Sequence, residues 1–306
     1  MLILQDYSGD TGKKPEERSI EELKQYGVLP LDKPRGPTSH EAGAFARKLL
    51  GAKKSGHSGT LDADVSGVLP LLFGHACKIS TILTKEDKEY VCIMRLGGAV
   101  GDDELREAFS HFRGRIYQKP PEASAVAKKL RIRNVYSLDI LERDGKDVLF
   151  KAKVQHGTYI RNICFDIGEV LGVGAEMFEL RRTKSGGFSE KQAVTLQEFS
   201  DRLWLAQERG DEKPLREYLL PMESALTLRR IYVDDGALKP LSSGADLAVP
   251  GITRLDDDIA RGDSVQILSD KGELVCIATA LMSAKEMQTK KNGVACDVER
   301  VVRSFV

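Results

Sequence analysis

Strand and helix signals are interleaved irregularly along this chain up to about Met222–Arg230, and from Ile231 onward the signals become short strands separated by turns. That order constrains the fold more than any other feature. Irregular interleaving lacks the β-α-β rhythm of a doubly wound parallel sheet. It predicts an α+β domain with a mixed, largely antiparallel sheet flanked by helices. The last stretch is punctuated by Ser242-Ser243-Gly244, Val249-Pro250-Gly251 and Asp270-Lys271-Gly272, and predicts a small, mostly β domain. A chain of 306 residues has room for both. The expected boundaries are 27–228 and 229–306. Residues 1–26, polar and charge-rich with a helix near Ile20–Tyr26, are expected to dock on the body as an extension.

Local signals support this division. Gly27–Pro34 reads as a strand stopped by Pro34. Thr38 and Glu41 form a capping box for a helix that has Phe45, Ala46, Leu49 and Leu50 on one face and ends at Gly51. Tyr90–Leu96 alternates as a strand. Val135–Leu141 and the alternating Val148, Phe150, Ala152 and Val154 flank Asp144-Gly145, which predicts a hairpin. Ile160, Ile163, Ile167, Val170 and Leu171 recur at helical spacing before Gly172.

The first residues hold one short apolar run, Met1–Leu4, and no stretch approaches the ~18 apolar residues of a membrane span. A cytoplasmic location without a membrane partner is expected. The five cysteines (Cys77, Cys92, Cys164, Cys276 and Cys296) form no Cys-x-x-Cys pair and read as thiols in a reducing compartment. Net charge is zero, with 46 basic and 46 acidic residues, but the charge is segregated. Arg113–Arg133 contains seven basic residues and one acid, whereas Asp256-Asp257-Asp258 is an acidic run. A neutral chain with segregated charge still offers phosphates a basic face.

Lys53–Leu72 is the segment richest in chemistry: Gly56, Gly59 and Gly67 surround His57, Asp62 and a second aspartate, next to Lys53 and Lys54. Glycines let backbone approach a ligand, and a loop carboxylate beside lysines suits catalysis on a phosphate-bearing substrate. The commoner use of a loop aspartate is to cap a turn, and His57 has an equally ordinary structural reading. Composition leaves these alternatives open. One histidine with two aspartates selects no metal, and none is expected.

The segment Gly-His-Ser-Gly-Thr-Leu-Asp (56–62) resembles the catalytic motif of the TruB family of pseudouridine synthases, closest to the archaeal and dyskerin-like branch that works in H/ACA guide ribonucleoproteins. Supporting motifs are Leu31–His40, Lys88–Val91, Gly157–Arg161, Gly172–Ala175 leading to Glu179–Thr183, and Gly244–Ile252. Each is weak alone; six in the right order are specific. The resemblance implies that Asp62 is the essential aspartate, acting on C1′ as a nucleophile or on the 2′ proton as a base. It implies that Arg161 pairs with Asp62 and that Tyr90 stacks on the extruded base. Tyr159 and Leu180 become pocket-wall residues and His57 a stabiliser of the flipped nucleotide. Lys33 lies beside the loop, either structural or facing phosphate. Isomerising uridine needs no redox change or group transfer, so no cofactor is implied.

The family's proline after the catalytic aspartate is Ala63 here. After Pro120 the chain lacks the insertion with which bacterial relatives grip transfer RNA, and Ala125–Arg131 runs straight on. A guide RNA, a substrate RNA and small accessory proteins of the H/ACA particle are therefore the implied partners. Lys128, Lys129, Arg131, Arg133 and Arg182 become RNA-binding candidates. Residues from about 229 resemble a PUA domain, an RNA-binding pseudo-barrel, with Gly244 in its matching motif. The alternatives are a stand-alone transfer-RNA pseudouridine synthase and a non-catalytic RNA-binding scaffold.

Overall fold

A computed structural model describes residues 1–120, 127 and 129–305. The chain begins with the short strand β1 (Leu2–Ile3). Helix α1 (Ile20–Tyr26) opens on a capping box in which the Ser19 hydroxyl accepts from the Glu22 amide and the Glu22 carboxylate accepts from the Ser19 amide. It runs directly into β2 (Gly27–Lys33), buried along nearly its whole length. Helix α2 (Ser39–Leu50) has the expected Thr38–Glu41 capping box, and Gly51 closes it in the left-handed region.

Of the face expected on α2, only Ala46 and Leu50 are buried, together with Ala42. Phe45 and Leu49 are exposed, because they sit one residue, about 100°, off the 42–46–50 stripe.

Strands β3 (Ser55–His57) and β4 (Ser66–Phe73) flank the glycine-rich loop. Helix α3 (Ser80–Thr84) and strand β5 (Lys88–Leu96) follow, then α4 (Asp102–His111) and β6 (Gly114–Gln118). The predicted hairpin is β7 (Arg131–Asp144) and β8 (Asp147–Val154), with Asp144 opposite Asp147 and Gly145 in the turn at φ 57°. Helix α5 (Ile160–Val170) precedes β9 (Ala175–Ser185) and β10 (Phe188–Ser189). Ile160, Ile163, Cys164 and Ile167 are its buried stripe; Val170, at the edge of that stripe in the last turn, is exposed. Helices α6 (Leu196–Arg209) and α7 (Lys213–Arg216) and strand β11 (Leu220–Pro221) complete this part.

Among the described residues these strands form one sheet in the order β11-β2-β4-β9-β5-β8-β7-β6, with β3 on β4 and β10 on β9. Pairing is antiparallel except between β4 and β9, where Ser66 and Gly67 run parallel to Arg181 and Arg182. The chain therefore has the α+β architecture expected of it. The β4–β9 junction holds the loop's exit against the middle of the sheet.

The second sheet contains β12 (Arg229–Val233), β13 (Leu247–Ala248), β14 (Ile252–Leu255), β15 (Ser264–Ser269), β16 (Leu274–Ala280) and β17 (Val294–Val301). Helices α8 (Asp235–Ser242) and α9 (Ala284–Thr289) pack within this mostly β unit, at positions where no helix was assigned. Both are short and start at side-chain caps, Asp234 and Ser283, which a strand-period search passes over.

The first residues add β1 to the edge of this second sheet, with Leu2 opposite Leu255. Each sheet has its own apolar core. A third cluster joins them, with Val28, Val68, Leu72 and Ile79 against Leu268, Leu274, Ile277 and Val302.

Candidate active site

The loop between β3 and β4 is pinned from several sides. Ser39, buried in the first turn of α2, donates its hydroxyl to the Leu61 carbonyl and accepts from the Leu61 amide, both at 2.8 Å. This fixes the residue before Asp62. The Asp62 carbonyl accepts from the Val65 amide at 3.1 Å, which makes 62–65 a turn. The Ala63 carbonyl accepts from the Gly36 amide at 2.8 Å. Lys33 is fully buried beneath the turn, with Nζ 2.8 Å from the carbonyls of Pro34 and Pro37 and 3.4 Å from that of Ala63. Burial lowers its pKa, against the opposing pull of Asp64 and Asp62. Its ammonium therefore holds backbone and does not reach a phosphate.

Arg161 meets Asp62 across 99 residues of sequence, with Nη2 3.0 Å from Oδ2. The same nitrogen lies 3.8 Å from Oδ2 of Asp64. Both members of the first pair are open to solvent, with the side chains 43% (Arg161) and 60% (Asp62) exposed.

Arg161 is the second residue of α5, whose N-cap, Tyr159, supplies no capping side chain. The helix start is clamped laterally instead. Buried Gln118 donates to the Tyr159 carbonyl at 3.0 Å and accepts from its amide at 2.9 Å. Asn162 donates to the Lys119 carbonyl at 2.9 Å. Three hydrogen bonds thus tie the end of β6 to the turn that presents Arg161.

Arg182 was expected to face RNA. It is 1% exposed, on the β9 residue opposite Gly67, and its Nε and Nη2 donate to the carbonyls of Val68 and Gly59 at 2.8 and 3.1 Å. No phosphate can reach it; its part is to tie the loop to the sheet. Burial lowers its pKa, and the neighbouring Tyr90 opposes this. Tyr90 is half-buried on β5 across from Arg182, against the main core.

His57, on β3, has a buried Nδ1 without a hydrogen-bond partner. Burial first, then Arg182 and His40, hold its pKa below the usual histidine value, so the imidazole is neutral near neutrality. A neutral ring with a free nitrogen suits a contact with a base better than proton transfer. Leu180 is buried on β9 opposite Cys92, and Tyr159 is half-buried.

Of the other RNA candidates, Lys129 is exposed. Arg131 and Arg133 start β7 and donate to the carbonyls of Ala127 and Ile132. The Arg133 guanidinium also lies over Gly157, before the α5 turn. Lys128 lies outside the described residues. Gly244 is exposed at φ 88° after α8, in the second unit.

Sequence reasoning passed over Ser39 and Gln118 and gave the second aspartate, Asp64, no role. Ser39 follows a helix cap, and Gln118 is a polar residue at a buried strand position. Neither carries a periodic signal of its own.

Family models match over most of the chain: TruB family pseudouridylate synthase (N terminal domain) at residues 47–160, tRNA pseudouridylate synthase B C-terminal domain at 161–227, PUA domain at 229–302 and DKCLD (NUC011) domain at 7–42. The chain is 48% identical to a "Probable tRNA pseudouridine synthase B" of Methanocaldococcus jannaschii over 293 residues, 95% of this chain and 87% of that protein. A protein of the same description from Pyrococcus furiosus is 46% identical over 306 residues, covering 98% and 90%.

Among solved structures, a chain of the "Crystal Structure of a Cbf5-Nop10-Gar1 Complex" superposes with TM-score 0.91 at 45% identity, covering 99% of this chain and 94% of that one. A chain of an H/ACA RNP bound to a substrate RNA containing 2′-deoxyuridine gives TM-score 0.90 at 43% identity, covering 99% and 94%. With its motifs in order, its two-sheet architecture and relatives matched along nearly their whole lengths, the chain belongs to the TruB family of pseudouridine synthases.

Proposed function

We propose that this chain isomerises chosen uridines in RNA to pseudouridine as the catalytic subunit of an H/ACA guide ribonucleoprotein, with Asp62 as the reacting carboxylate. The observation that carries the reading is the solvent-open ion pair of Asp62 and Arg161, at 3.0 Å in a turn held by hydrogen bonds at Leu61, Asp62 and Ala63. An ionised carboxylate is what both the nucleophilic and the glycal route require, and a permanently charged guanidinium donates a hydrogen bond to it. Tyr90 supplies an aromatic face for the extruded base, with His57, Tyr159 and Leu180 around it.

Ribosomal RNA is the main substrate class, with transfer RNA as a second. The partners are a guide RNA and small accessory proteins like those with which the Cbf5 chain was crystallised. Residues 229–306, with Gly244, hold RNA as a PUA domain; 27–228 form the catalytic domain and 1–26 an N-terminal extension docking on the body. Lys129, Arg131 and Arg133 face the RNA backbone. No helix of the described residues is long and apolar enough to cross a membrane; a cytoplasmic location is part of the proposal.

Asp62→Asn keeps the shape and removes the charge. The expected outcome is loss of pseudouridine formation with RNA affinity within about two-fold of wild type, read by nearest-neighbour nucleotide assay and filter binding. Conversion at the wild-type rate by Asp62→Asn would rule out the assignment. A second reading, guide-free action on transfer RNA, is favoured by the descriptions of the archaeal relatives. Incubating the purified chain with unmodified transfer RNA, with and without guide RNA and accessory proteins, separates the two.

A further inference from the structure

The reading of Asp62 as the reacting group leaves a second carboxylate unexplained. Asp64 sits two residues on, in the same turn, and its Oδ2 is 3.8 Å from the Arg161 nitrogen that meets Asp62 at 3.0 Å. Among the described residues no other cation lies within ion-pair distance of Asp64. The turn that brings the two acids to one side does not depend on a proline. Its centre is Ala63, whose carbonyl is held by the Gly36 amide and the buried Lys33 ammonium. Asp62 and Asp64 are left as side chains of a fixed turn, 60% and 57% exposed, aimed at one guanidinium.

The reaction gives this arrangement a use. As a nucleophile, Asp62 forms a bond to C1′ while the C1′–N1 pair leaves with uracil as an anion. As a base, it takes the 2′ proton, the C–H pair becomes the C1′–C2′ double bond, and the same C1′–N1 pair leaves with uracil. In both cases Asp62 loses its charge while the detached base carries one. The cycle closes when C5 of the base bonds to C1′. Asp62 is then released as carboxylate from the ester, or it first returns its proton to C2′. C5 finally loses its proton and N1 gains one.

Through the interval Arg161 has lost the anion that held it, and it faces a mobile uracil anion and RNA phosphates. We propose that Asp64 is a positioning residue that holds Arg161 in place while Asp62 is uncharged, so that the guanidinium is still aimed when the carboxylate is regenerated. This rests on Asp62 being the reacting group. Asp64 is also the carboxylate that most offsets the burial of Lys33, so the same charge steadies the turn from below.

The test compares Asp64→Asn and Asp64→Glu in the full chain, assembled with guide RNA and accessory proteins. The Asn variant should lower kcat about five-fold, the size of an exposed ion pair, with KM within two-fold of wild type. Glu should restore at least half of the loss. An unchanged kcat overturns the proposal. So does a lower KM at constant kcat, the signature of a carboxylate that merely repels phosphates.

A readout independent of activity is rotation of the Arg161 guanidinium, followed by nitrogen NMR on arginine-labelled protein. Asp62→Asn should leave Arg161 restrained, and adding Asp64→Asn should free it. If Asp62→Asn alone frees Arg161, the proposal fails. If the wild-type particle forms no pseudouridine, the functional reading fails, while the NMR comparison still decides whether Asp64 holds the guanidinium.

Discussion

Gly67 and Gly36 have the same backbone angle, φ 109°, and different surroundings. A Cβ on Gly36 would meet nothing within 4 Å, whereas on Gly67 it would fall 2.2 Å from the Arg182 carbonyl oxygen and 2.7 Å from its amide nitrogen. Both substitutions by alanine carry the cost of a positive φ, about 1 kcal/mol or more. Only Gly67→Ala also drives β4 from β9 at the point where Arg182 ties Gly59. It should lose at least about 2 kcal/mol more than Gly36→Ala in urea unfolding and reduce turnover as well, because the catalytic loop loses its tether. Equal losses for the two variants would show that the parallel β4–β9 contact is soft.

At the scale of the element, helix α3 and strand β5 are joined by a buried lysine. Lys88, the first residue of β5, donates to the carbonyls of Leu83, Thr84 and Glu86 at 3.0, 2.9 and 2.7 Å, closing the C-terminal end of α3. Burial, reinforced by the Arg182 charge, lowers its pKa from 10.5 to about 8. Between those two values the unfolded chain keeps a proton that the folded protein has released. Stability from this residue therefore rises as pH increases through the window and stays at its lower level below pH 8. The difference in urea midpoint between wild type and Lys88→Met should move in favour of wild type from pH 7.5 to pH 10. A constant difference would mean that Lys88 remains charged in the fold.

For the whole molecule, Arg18 is the joint. It is fully buried and pairs bidentately with Glu223 at 2.8 Å and with fully buried Glu273 at 3.3 Å. Its guanidinium lies over the Tyr26 ring, as does that of Arg303, which also pairs with Glu273. The extension, the first sheet's unit and the second sheet's unit therefore meet in one buried charge network. Arg18→Ala leaves two carboxylates short of a partner and should cost about 3–5 kcal/mol. The expected record is a lower thermal midpoint and faster proteolytic release of the first residues. A loss under about 1 kcal/mol would mean that the apolar cluster of Val28, Leu72, Leu268 and Leu274 holds the units together unaided.

What was legible in the sequence was whatever is written locally. The capping boxes of Thr38 and Ser283 and the hairpin at Gly145 depend on residues within a few positions of one another; the first and last were read as such, while the Ser283 cap was overlooked. The ordered motifs identified the family and singled out Asp62, Tyr90 and Arg161. The tertiary structure decided whatever depends on which side chains meet. Lys33 and Arg182, read as able to face RNA, are buried because the sheet register turns them inward onto carbonyls. Gln118, Ser39 and Asp64 matter because distant backbone arrives beside them. A charge in a sequence carries no statement of its solvent exposure. That exposure is set by pairing between strands more than a hundred residues apart, as between Gly67 and Arg182.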